Sequence, residues 1–135
     1  MATYTITATD VDSGAQVGET RFAGEPLVAG DFVYSDASDG SAKKADADAL
    51  ATATVIGMCL NSADTGQPVN VLRSGAVTVG SIFTAAGKLL LLSSTAGKLM
   101  DAADISTGKF VSVVGWSTSA TALQISILNT GLASP

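Results

Sequence analysis

The chain has no histidine and a single cysteine among its 135 residues. The first absence removes Ser-His-Asp and Cys-His catalysis and any imidazole-based zinc site, and the second removes thiolate clusters and internal disulfides. Cys59 lies in the apolar context "VIGMCL", which reads as a buried thiol with no base beside it to make it a nucleophile. Aromatic residues are scarce, with one Trp, two Tyr and four Phe, so the ring platforms of a sugar-processing cleft are hard to assemble. Glu19 and Glu25 are the only glutamates, a thin supply for paired-carboxylate chemistry on sugars. Positive charge is also short: the only arginines are Arg21 and Arg73, and net charge is −5. A phosphate-neutralising nucleic-acid footprint is not expected. The opening "MATYTITATD" has neither a basic start nor an apolar core, and no apolar run approaches membrane-spanning length. The expectation is a soluble protein made without export, with no membrane contact.

What the chain does contain is Ala, Gly, Ser, Thr, Val and Leu, arranged as short apolar runs separated by turn residues about every ten positions. "TYTITAT" alternates strictly, with Thr3, Thr5, Thr7 and Thr9 on one side and Tyr4, Ile6 and Ala8 on the other, the signature of a β-strand. The polar stretch "DVDSGAQVGET" after it reads as a loop or extended arm. Further strands are expected at 26–28, 32–35, 42–44, 54–60, 68–74, 76–79, 88–92, 98–100, 110–118 and 122–128. "ADADALATAT" (45–54) is expected to cross as a loop with a possible helical turn. The fold class is all-β.

The chain also repeats itself. Gly30 and Gly40 recur as Gly87 and Gly97, "VIG" (55–57) as "VVG" (113–115), and "VNVLRSG" (69–75) as "ISILNTG" (125–131), all in the same order. The expected organisation is an N-terminal strand or arm over 1–20, then a β-domain over 21–135 with two units at about 24–80 and 81–135. A unit of a few short strands has too small an apolar face to stand alone, so the two must close on each other as a compact sandwich or barrel. Four consecutive leucines at 89–92 replace the first unit's "FVYS" and predict a central strand covered on both faces. Gly57 and Gly115 predict a bulge or a close backbone approach.

No stretch carries a site for chemistry. "DASDGS" (36–41) is faintly like a calcium loop, but the twelfth position from Asp36 is Ala47 rather than the bidentate Glu such a loop needs. Asp39-Gly40 is better explained as a hairpin turn. "GSIFTAAGK" (80–88) has the wrong spacing for a phosphate loop and no hydroxyl after Lys88. No catalytic residue, metal ligand or cofactor is assigned, and the chain is not expected to be an enzyme. Contact residues are expected instead. The segment Thr3, Tyr4, Thr5, Ile6, Thr7 is a candidate for strand addition to a neighbour's sheet edge, or else the chain's own first strand. Arg21 and Phe22 form a candidate anchor pair, and Trp116 is a core plug or a subunit-interface anchor.

The stretch from Glu25 to Gly131 carries "AGDFV" (29–33), "DGSAKKADAD" (39–48), "VIGMCL" (55–60) and "GQPVNVLRSGAV" (66–77), followed by the second copy. In these motifs it resembles the bacteriophage capsid cement, or head decoration, proteins. The resemblance implies a β-rich homotrimer on the outside of an icosahedral shell, made in the host cytoplasm and carried on the virion. It would contact the major capsid protein at three-fold or local three-fold positions and brace the head. The first 20 residues follow no such pattern, and β-units of this kind also occur in phage tail and fibre proteins. A carbohydrate-binding module is a further reading, which an exposed aromatic platform would favour.

Overall fold

The computed structural model describes residues 3–14 and 18–135. Among the described residues eleven strands form two antiparallel sheets. In chain order they are β1 (Thr3–Tyr4), β2 (Glu19–Phe22), β3 (Phe32–Ser35), β4 (Ala42–Lys44), β5 (Val55–Cys59) and β6 (Pro68–Leu72), followed by β7 (Ser74–Thr78), β8 (Leu89–Leu92), β9 (Leu99–Asp101), β10 (Phe110–Ser117) and β11 (Ala122–Ala133). The five-stranded sheet is ordered β2-β6-β5-β3-β4 and the six-stranded sheet β7-β11-β10-β8-β9-β1. Apart from β1, the second order is the first repeated, strand for strand. The protein is an all-β sandwich built from one unit used twice.

Details match as well as order. The N–H groups of Ala23, Leu27 and Gly30 donate to the carbonyls of Gln67, Ala63 and Cys59, and those of Val79, Phe83 and Gly87 donate to Thr121, Ala120 and Ser117. Each unit thus leads into its ladder through a segment pinned across the same hairpin. β5 bulges between Val55 and Gly57 against β3, and β10 bulges between Val113 and Gly115 against β8. Gly57 and Gly115 have φ of +155° and +151°. A Cβ on Gly57 would lie 2.5 Å from the Leu72 carbonyl oxygen, and one on Gly115 would strike that of Gln124. Both expectations for these glycines, bulge and close approach, hold together.

The last repeat anchor is displaced. Cys59 lies opposite Val71, whereas its counterpart Ser117 lies opposite Leu123 rather than Ile127. The cause is a shorter hairpin: the loop between β10 and β11 spans only residues 118–121, against 60–67 in the first unit. The slip is of four residues, an even number, so each side chain keeps its face of the sheet.

Period-two alternation assigns the apolar residues to two cores. Phe32, Met58 and Leu72 join Leu90, Leu92, Leu99, Leu123 and Ile125 in the core between the sheets. Val33, Cys59, Val69 and Val71 point the other way, into a second cluster closed by Ala23, Leu27 and Ala63. Asn129 on β11 ties the sheets together. Its Oδ1 accepts the Val55 N–H at 3.0 Å and its Nδ2 donates to the Val55 carbonyl at 2.9 Å.

Several strand expectations are corrected. Residues 26–28 form no strand, only a bridge from Leu27 to Ala63. Glu19–Phe22, where the arm was expected to end at Thr20 and no strand was placed, is a strand, because its backbone pairs with β6 although its side chains show no apolar alternation. Residues 45–54 cross as a loop of turns, as expected, with no helix. Leu89–Leu92 is an interior strand as expected, with Leu90, Leu91 and Leu92 buried, but Leu89 is 48% exposed.

Candidate interaction surface

The N-terminal segment alternates in burial as its sequence does: Thr3, Thr5 and Thr7 are exposed while Ile6 is buried and Tyr4 half-buried. Only Thr3 and Tyr4 pair, with Met100 and Leu99 of β9 in the chain's own sheet. Residues 8–10 then turn into a short 3-10 helix. Tyr4 donates its hydroxyl to Asp101 Oδ2 at 3.0 Å and meets Phe83 edge-on, with ring centroids 5.3 Å apart. Burial, then the hydrogen bond and charge of Asp101, raises its pKa above the usual tyrosine value. Ile6 packs over Gly30, where a Cβ would lie 2.7 Å from the isoleucine side chain. Tyr4 and Ile6 are therefore structural, and Thr3, Thr5 and Thr7 supply the surface.

Arg21 and Phe22 sit on β2, at the edge of the five-stranded sheet. Arg21 Nε lies 3.4 Å from Glu19 Oε1, and its Nη1 donates to Ser35 Oγ at 3.5 Å. Phe22 is 63% exposed. Trp116 is on β10 in the other sheet, so these candidates do not converge on one site. Trp116 is not a core plug: it is 42% exposed, paired with Leu89 on one side and Gln124 on the other.

That pairing places Trp116 on the outward face of the six-stranded sheet. In the next row the outward residues are Leu91, Val113 and Leu128, which also pair across β8, β10 and β11. Leu128 is 60% exposed. Leu89, Trp116 and Leu128 are thus exposed apolar residues on one outward face, with the polar Gln124 and Ser126 beside them on β11 and Leu91 of the same face buried. Periodicity alone missed this surface, because outward apolar residues look like core residues until a covering layer is known to be missing.

Asp36 and Asp39 hold the backbone of the 36–41 hairpin. Asp36 accepts from the Ser38 N–H and hydroxyl at 2.9 and 2.8 Å and pairs with Lys43 Nζ at 2.6 Å. Asp39 accepts from the Ser41 N–H and hydroxyl at 2.9 and 2.7 Å. The bond from Lys43 holds the Asp36 carboxyl well below the usual range, and the Ser41 hydroxyl lowers that of Asp39. Gly40 takes the positive φ of +74° that the hairpin needs. Asp31 is buried, accepts the Val28 N–H at 3.0 Å and lies 3.7 Å from Lys98 Nζ. Burial pushes the Cys59 thiol up to about 12, with Asp31 adding to the effect. Among the described residues no three Cys, Asp or Glu side chains gather as a metal site, and no helix is long and apolar enough to cross a membrane.

Compared with protein-family models, the chain matches none. No curated protein matches it either.

Proposed function

We propose that the protein is a non-enzymatic structural component of a phage virion, a capsid cement protein that binds the outer shell and stabilises the head. It acts as a homotrimer at three-fold or local three-fold positions, with the major capsid protein as its partner. The observation that carries this reading is the doubled β-unit presenting exposed apolar residues, Leu89, Trp116 and Leu128, on the outward face of its second sheet. The carboxylates of the 36–41 hairpin are consumed by that hairpin's own backbone and by Lys43. The motifs of the first unit add the resemblance to cement proteins. Many weak contacts repeated by symmetry suit such a surface, since a lattice multiplies them through effective concentration. A tail or fibre domain of the same architecture is the alternative within this class. The test is the temperature at which shells lacking the protein open, measured with and without it. Protection that saturates is expected, and an unchanged opening temperature contradicts the reading.

A carbohydrate-binding module is the second reading, favoured by one observation: Trp116 lies exposed on the outward sheet face with Gln124 as its direct cross-strand neighbour. An aromatic plane beside an amide suits a sugar ring. Glycan titration followed by calorimetry tests it, and a Trp116→Ala change would abolish a true response.

A further inference from the structure

The two units do not face each other symmetrically. Ladder pairing equates Phe32 opposite Met58 in the first unit with Leu89 opposite Trp116 in the second, because Val33 opposite Gly57 matches Leu90 opposite Gly115 in the next register step. Phe32 and Met58 are completely buried in the core between the sheets, whereas Leu89 and Trp116 are 48% and 42% exposed. The residues matched to the first unit's other face, Val33 and Val71, are Leu90 and Leu123, and these enter the shared core. One face of the first unit therefore packs on the opposite kind of face of the second. The stacking is head to tail, and it leaves Leu89, Trp116 and Leu128 uncovered on the second unit's equivalent of the buried face, while Leu91 and Met100 on that face are buried.

We infer that this open face, centred on Leu89, Trp116 and Leu128, receives a second copy of the chain, which docks the outer side of its five-stranded sheet. The inference deepens the self-association in the proposed function and rests on that reading. It continues an interface that already exists: the contact between copies repeats the one that joins the two units within a copy. On the donor side, the Pro26–Val28 stretch lies over the cluster of Val33, Cys59 and Val71, with Leu27 pointing in and Val28 45% exposed. Contacts of this heterologous type generate a closed ring when the rotation per copy divides a full turn. A homotrimer is the smallest such ring. Self-matching of the open face against its own copy would instead give a two-fold pair.

Solution mass by light scattering tests this without any capsid, so failure of shell binding leaves the test intact. The wild type is expected as a closed oligomer. Trp116→Asp, removing the receiving face, and Val28→Asp, removing the docking side, are each expected as monomers. Mixed together they retain one good contact between them and are expected to form a one-to-one dimer that grows no further. Circular dichroism checks that each variant is folded, and Leu128→Asp replaces Trp116→Asp if that variant is not. In Leu128→Asp, Trp116 emission should shift to the red as the ring exposes its indole. A monomeric wild type overturns the inference. So does a Val28→Asp protein that still associates like the wild type, or a mixture of the variants that stays monomeric.

Discussion

Gly115 lies against the carbonyl of Gln124 so closely that a side chain there has no space, and Gly57 stands in the same relation to the carbonyl of Leu72. The pair marks where each unit bends its central ladder. Both positive φ and backbone contact oppose substitution. Gly115→Ala and Gly57→Ala are each expected to lower stability by about 3 kcal/mol or more, as strain and overpacking add. Gly40→Ala is the control, since its Cβ meets nothing within 4 Å and only the φ of +74° is strained. Its cost should be about 1 kcal/mol. Urea denaturation of the three variants checks the order.

Asn129 carries the contact between sheets by bonding both backbone groups of Val55. Asn129→Ala leaves the carbonyl without that partner, while the N–H keeps a bond to Ala53. A loss of about 1–3 kcal/mol is expected from the two neutral hydrogen bonds removed. Asn129→Asp should fare no better, because it replaces the donor with a second acceptor. Thermal melts of the two variants measure this.

The Asp36–Lys43 pair gives stability a pH dependence. The carboxyl is held below its ordinary value in the folded chain, so its contribution is present above the unfolded value and is lost as pH falls toward the folded one. The Lys43 ammonium is raised by Asp36, so its share is present below the ordinary lysine value and is lost at still higher pH. Asp36→Asn should therefore flatten the acid side of the stability curve below about pH 4, where an ordinary Asp titrates. The pair is partly exposed, so the effect should shrink with added salt. An unchanged acid limb would contradict the assignment.

Cys59 is buried with its thiol raised to about 12. At neutral pH it should react with a disulfide reagent only when the fold opens, so that the rate rises steeply with denaturant. Prompt stoichiometric labelling of the native protein would contradict this placement.

Fold class, the existence of a repeat and the paired glycines were legible because turns demand Gly and strands demand alternation. The expected unit bounds of about 24–80 and 81–135 were not met, since β2 (Glu19–Phe22) joins the first sheet and β7 (Ser74–Thr78) the second. Strand β2 was not legible: "ETRF" is polar, and only pairing with β6 makes it a strand. The four-residue slip of β11 was hidden because "VNVLRSG" and "ISILNTG" align by composition while hairpin length sets register. Exposure of Leu89 and Trp116 was hidden for a different reason, since apolar content alone does not say which layer is absent. The candidate contact segment proved half structural. Ile6 in the core and the bridge from Asp12 to Thr78 mean that removing residues 1–12 would also damage the fold. Thr5→Glu with Thr7→Glu is the cleaner probe of that segment on shells.

Co-sedimentation with capsid shells that lack the protein tests the central claim most directly. The account predicts that it pellets with shells to saturation, at a fixed ratio to the capsid subunit set by the three-fold positions. A protein that remains in the supernatant at every excess would contradict it.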